Sequence, residues 1–229
     1  MTAEFLTRKN GVRIFSCVLS VFFVFSMLSY AFFLKKAELS RLGKTFYFLV
    51  SNSTHIEASA HVAVLGGGAG YVLQAEGREY VAYAAYLTET GAESAQGVMA
   101  KNGEKTRVMA LKSSDLYSKT RREKLAQEKV NGAFSCFYQN TALLEGEIAR
   151  LEQGATQESS KRILSVLSRQ FAFLKTNYGE VCTEYQAACE VAVTALNRSI
   201  GDVVYVTDLR YLSCELCVSY IQMSENFCL

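Results

Sequence analysis

Phe46-Tyr47-Phe48-Leu49-Val50 is the stretch on which the fold turns. It alternates as a strand does, with Phe46, Phe48 and Val50 on one face and Tyr47, Leu49 and Ser51 on the other. Thr54-His55-Ile56-Glu57 then opens a helix, and Gly70-Tyr71-Val72-Leu73 reads as a second strand. The same order follows again: Tyr80 to Tyr86 strand-like, Thr90-Gly91-Ala92-Glu93 a helix start, and Lys105 to Leu111 a closing strand. Strand, helix, strand, twice over, predicts a ferredoxin-like βαββαβ module of α+β class. Its four strands would form one antiparallel sheet with both helices on one face, leaving the other face open to an elongated ligand.

Local signals agree with that order. Thr54/Glu57 and Thr90/Glu93 each have the Thr-x-x-Glu spacing of a capping box, in which the threonine oxygen accepts from a backbone N–H three residues on. Ala58, Val62 and Leu65 give one apolar stripe at i, i+4, i+7, and Ala92, Ala95 and Met99 give another. Gly66-Gly67-Gly68-Ala69-Gly70 comes after a helix and before a strand, with no lysine. A phosphate loop needs the reverse order, so the run predicts a helix stop and a turn built on positive φ. The Phe46 face is expected to pack on the helices, and the Tyr47 face to meet water or a ligand.

Upstream, Ile14 to Leu34 carries no charged residue. A bilayer-spanning helix needs about 20 apolar residues, so this run predicts a single-pass anchor. Ser29-Tyr30-Ala31 has the spacing of a signal cleavage site, but it lies inside the apolar run and Phe32-Phe33-Leu34 follows it. Basic residues flank the run on both sides, Arg8, Lys9 and Arg13 before it and Lys35, Lys36, Arg41 and Lys44 after it, so charge alone does not orient it. The simplest topology keeps 1–13 as a cytoplasmic tail, spans the cell membrane with 14–34, and places the rest, a module at 45–112 and a helical region at 113–229, outside the cytoplasm.

At this point the residues resemble a family. Phe46-Tyr47-Phe48-Leu49-Val50, Glu57-Ala58 in a helix, Gly70-Tyr71, Tyr80-Val81-Ala82-Tyr83 and Ala92-Glu93 together are similar to the sporulation-related repeat (SPOR) domain. The resemblance implies a bacterial, membrane-anchored protein that binds peptidoglycan, preferring glycan strands stripped of stem peptides, in cell division, sporulation or wall remodelling. On that reading Tyr47 and Tyr80 would stack on sugar rings, Ser51, Gln74 and Arg107 would hydrogen-bond at the rim, and Leu49 would lie on the open face. The alternative is a membrane-anchored scaffold whose SPOR-like module no longer binds glycan and whose helical half recruits protein partners.

The C-terminal half reads as helical. Leu144, Ile148 and Leu151 make a stripe, Gln153-Gly154-Ala155-Thr156 interrupts, and Ile163, Leu167, Phe171, Leu174 and Tyr178 resume it, continued by Cys182, Tyr185, Cys189 and Leu196. Two long helices and a glycine turn predict a helical hairpin. The β-branched run Ile200 to Val206 breaks the pattern, and Thr207-Asp208 could cap a last helix.

Composition narrows the function classes. Half of the 229 residues are hydrophobic, proline is absent, and the net charge is +2. No basic stretch interleaved with aromatics suggests a nucleic-acid face. Of seven cysteines, Cys17 lies in the anchor, while Cys136, Cys182, Cys189, Cys214, Cys217 and Cys228 lie in the helical half. Cys214-x-x-Cys217 lacks well-spaced zinc partners and a thioredoxin-like context, so these are expected to be small buried residues or disulfide partners. His55 and His61 do not share a helix face. No nucleophile–base–orienter set stands out, so we expect no enzyme, no cofactor and no metal site.

Overall fold

The structure is a computed structural model that describes residues 43–51, 55–116 and 121–226; side chains are described from 128 onward in the last segment, except 226. Leu42–Leu229 is one compact unit. The expected anchor and tail lie outside the described residues. Among the described residues no helix is long and apolar enough to cross a membrane.

The elements in chain order are β1 (Thr45–Ser51), α1 (Ile56–Leu65), β2 (Tyr71–Ala75), β3 (Arg78–Tyr86), α2 (Glu89–Lys101), β4 (Thr106–Lys112), α3 (Arg121–Glu152), α4 (Gln157–Tyr178), α5 (Thr183–Gly201) and α6 (Val206–Asn226). The class is α+β, with one four-stranded sheet in the order β2-β3-β1-β4. Every neighbouring pair is antiparallel. Between β1 and β3 the register slips at Leu49/Val50, which makes Tyr83 the extra residue of a bulge.

Strand alternation sets the two sheet faces. Leu49, Val81 and Tyr83 lie in a small core with Ala63, and Ile56 and Ala60 of α1 and Ala95 and Met99 of α2 pack on it. The opposite face carries Phe46, Phe48, Val50, Leu73, Ala82 and Met109 into the main core with α3 to α6. This reverses the expected assignment: the module's own helices cover the Leu49 face, and the Phe46 face meets the C-terminal helices. Side-chain size gives the reason. Alanine-rich α1 and α2 can lie close over leucine and valine, whereas two phenylalanines need bulky partners. Phe46 finds them in Tyr220 and Tyr138, at ring-centroid distances of 5.2 and 6.0 Å. Tyr220 also meets Phe134 edge-on at 5.1 Å. Each such fully buried side chain contributes roughly 1.5–3 kcal/mol through the water it sheds.

Two local expectations shift. The second helix is capped by Thr88, whose side chain accepts from the Gly91 N–H at 3.3 Å, two residues before the expected Thr90. Thr54 lies outside the described residues, and α1 begins after His55 with no side-chain cap. The stripe Ala58/Val62/Leu65 is exposed, with Leu65 at 75%. The face that α1 buries is Ile56/Ala60/Ala63 instead. Alanine and valine populate almost every side of this helix, so spacing alone could not choose between the two stripes. The Ala92/Ala95/Met99 stripe of α2 does face the sheet.

The glycine run behaves as expected. Gly67 and Gly70 adopt φ of +83° and +63°. Gly68 is closed to any side chain, because a Cβ there would stand 2.6 Å from the Tyr83 ring.

The helical half contains the expected hairpin and more. Gly154, at φ +91°, turns α3 into α4. The expected long second helix is broken at Gly179–Val181, a 3-10 turn. Cys182 is extended there, and its thiol accepts the Tyr185 N–H at 3.3 Å to start α5. The Gln157 side chain donates to the Val204 carbonyl at 3.0 Å and accepts from its N–H at 2.8 Å, tying the α5–α6 connection to the head of α4. The chain's entry and exit around the sheet are also clasped. The Lys44 N–H donates to the Ser113 hydroxyl, and the Ser113 N–H donates to the Lys44 carbonyl, both at 2.8 Å.

Candidate binding groove

Sheet geometry decides what the expected glycan-contacting residues can do together. Leu49 is 2% exposed beneath α1 and α2. Tyr47 and Ser51 share its face and are half-buried. Gln74 is on that side too, exposed, and donates to Glu79 at 3.5 Å. Tyr80 and Arg107 lie on the opposite face, where the Arg107 guanidinium sits 4.9 Å from the Tyr80 ring centroid. The six residues are thus divided between two faces, both of which carry helices. On the Leu49 side a cleft of about 280 Å³ is bordered by Tyr83, Tyr86, Ser94, Glu152 and Arg210. Arg210 closes one end of it, with Glu152 as an ion-pair partner at 2.6 Å and the Gly67 carbonyl as hydrogen-bond acceptor.

A larger groove, about 640 Å³, lies where the glycine run meets α5 and α6. Its α6 wall is the stripe Asp208, Tyr211, Leu212 and Glu215; its α5 wall is Val191, Thr194, Ala195 and Arg198; Val64, Ala69 and Gly70 close the third side. Positive φ at Gly70 brings the chain round into β2 at this point. Tyr211 is 46% exposed and packs edge-on against Tyr71 at 5.1 Å. Val64 and Val191 are also exposed, so the floor and rim present apolar surface to solvent. A volume of this size, mostly apolar with a few converging polar groups, is typical of binding sites.

The charges in the groove are uneven. Asp208, Glu190 and Glu215 face one cation, Arg198. Glu190 is paired outward with Lys175 at 3.1 Å. Burial pushes the Glu215 carboxyl above the usual carboxylate range. Burial, and the Glu215 charge after it, push the Tyr211 phenol up as well. Both shifts reflect negative charge held against low-dielectric surface.

The chain was compared with known proteins at three levels. No family model, curated protein or solved structure matches it.

Chemistry elsewhere is sparse. Cys136, Cys182, Cys189, Cys214 and Cys217 are free thiols, and Cys214 and Cys217 are buried in α6. Burial raises the thiols of Cys214 and Cys217, and pushes that of Cys189 to about 12, which suppresses the reactive thiolate. Among the described residues no three His, Cys, Asp or Glu side chains are placed to hold a metal ion.

Of the groove residues, the sequence singled out Ala69 and Gly70, read as part of a turn, and Thr207-Asp208, read as a helix cap. A signal was present, because Asp208, Leu212 and Glu215 repeat at i, i+4, i+7, an acidic frame around an apolar centre. What gives that frame its meaning is the glycine run beside it, more than a hundred residues upstream, and spacing within α6 could not reveal that neighbour.

Proposed function

We propose that the protein is a non-catalytic scaffold, held at the bacterial membrane by Ile14–Leu34, which recruits protein partners through its helical half. A ferredoxin-like, SPOR-like module forms its structural base. One observation carries this reading: the sheet face that a glycan strand would need lies under α3 and α6, and the other lies under α1 and α2. The groove on α5 and α6 then offers the accessible concave surface. The exposed Val62, Val64 and Leu65 of α1 add apolar surface of the kind that marks interaction sites.

The wall-binding reading keeps one support, the Tyr80–Arg107 pair, in which a half-buried aromatic and a cation stand together at the end of the sheet. Co-sedimentation with purified sacculi separates the two. The full chain in mild detergent is mixed with intact sacculi and with sacculi stripped of stem peptides. The scaffold reading expects no pelleting above a detergent control. Pelleting enhanced on stripped glycan, and lost in Tyr80→Ala, would establish wall binding instead.

A further inference from the structure

We propose that the α5–α6 groove receives an amphipathic helix of a partner protein, whose basic residues, seven apart, flank an apolar pair. The inference rests on the scaffold reading and names the partner's chemistry. The α6 wall dictates the pattern. Asp208 and Glu215 lie two helical turns apart on one stripe, with Tyr211 and Leu212 between them. A helix laid against that stripe meets acid, apolar surface and acid at the same rise of 1.5 Å per residue that spaces its own side chains. Basic residues at i and i+7 would reach Asp208 and Glu215, and apolar residues at i+3 and i+4 would cover the exposed Tyr211 and Val191, with Leu212 already buried behind them.

The α5 wall suits a helix rather than a bulky rigid ligand. Thr194 and Ala195 are small and permit close backbone approach, and Val191 adds exposed apolar surface. Charge complementarity then selects the occupant. Glu215 is half-buried against Tyr71 and Tyr211, and no ion pair of the described residues joins it to a cation. A lysine or arginine arriving with the partner would supply that cation, whereas an acidic helix would meet the Asp208 and Glu215 carboxylates along α6, with only Arg198 of α5 to offset them.

The test uses a synthetic amphipathic peptide with Lys at i and i+7 and Leu at i+3 and i+4, fluorescently labelled, and a twin with Glu at both Lys positions. Fluorescence anisotropy is read against the full chain in nonionic detergent. The basic peptide is expected to bind, and the acidic twin to bind at least tenfold more weakly. In the variant Asp208→Lys/Glu215→Lys the preference should invert, with the acidic twin binding better. Both positions reach solvent, so the variant should fold, and its circular dichroism and melting temperature check this. If neither peptide binds, or if binding ignores the charge reversal, the proposal is overturned. Equal binding of both peptides, abolished by Ala195→Trp, would reject the basic partner but leave the scaffold reading standing. Absence of peptide binding together with pelleting on stripped sacculi would overturn both.

Discussion

Replacing Leu49 with alanine separates a covered sheet face from an open one. On an open ligand-binding face, trimming an exposed leucine changes stability by less than about 0.5 kcal/mol. In the structure Leu49 is 2% exposed, enclosed by Ala63, Val81 and Tyr83 with Ala60, Ala95 and Met99 around them. Leu→Ala in such a core costs about 2–5 kcal/mol, increasing with the cavity left behind. Here the vacated space adjoins the cleft of about 280 Å³ that Leu49 already lines, so water can reach it and part of the cavity penalty is avoided. The expected loss is therefore in the lower half of that range, about 2–3 kcal/mol. Urea unfolding followed by circular dichroism measures it as a lower midpoint with an unchanged slope. Gln74→Ala, at an exposed site on the same face, serves as the control and should stay near zero. A loss below about 1 kcal/mol at Leu49 would mean that α1 and α2 do not cover this face, and the objection to a glycan bound on this face would fall.

Gly68→Ala should cost about 1–3 kcal/mol by chemical denaturation, because the new methyl group must displace the Tyr83 ring or the Ala63 carbonyl; a neutral result would place the glycine run elsewhere. Tyr185→Phe removes a hydrogen bond of 3.0 Å to the Ala133 carbonyl, which keeps its role in α3, so the loss should be only about 1 kcal/mol. Burial raises the Glu145 carboxyl, while the Leu87 N–H donating to it lowers it less. The native state then holds this proton to higher pH than the unfolded chain does. Its contribution is therefore neutral below the ordinary carboxylate pKa, becomes increasingly destabilising as pH rises from there to the raised value, and levels off above it. Glu145→Gln should remove that part of the decline in melts at pH 4 to 7, and an unchanged profile would refute it. Native-state alkylation read by peptide mass mapping should label Cys136 and Cys182 well before Cys189, Cys214 and Cys217, in the order of their burial.

Much of the fold was legible because its signals are local. Alternation at Phe46 to Val50 marked β1, the glycine run marked the end of α1, and the Ile163-to-Tyr178 stripe marked α4. Face assignment was not legible, because alternation sorts residues into two sets without saying which neighbour each set will meet. The break at Gly179–Val181 was hidden by an apolar spacing that continues in phase across it, from Tyr178 to Cys182 and Tyr185. As for function, the six expected site residues were chosen for a sheet face left bare. In the structure α1 and α2 cover the Leu49 face, and the opposite face is closed by contacts such as Phe46 with Tyr220 across most of the chain, which no window of sequence displays.

The position of β1 has a mechanical consequence. It is a central strand, laddered to β3 on one side and β4 on the other, and it is the first of the described elements, downstream of the segment expected to anchor the chain. A pull on the N-terminal side would load it lengthwise, so both ladders would resist in shear rather than unzip one bond at a time. The Gly43–Asp115 hydrogen bond and the Lys44–Ser113 clasp would take that force before the strand did. A tether fixed in this way can carry tension into the body of the protein without peeling away its first strand.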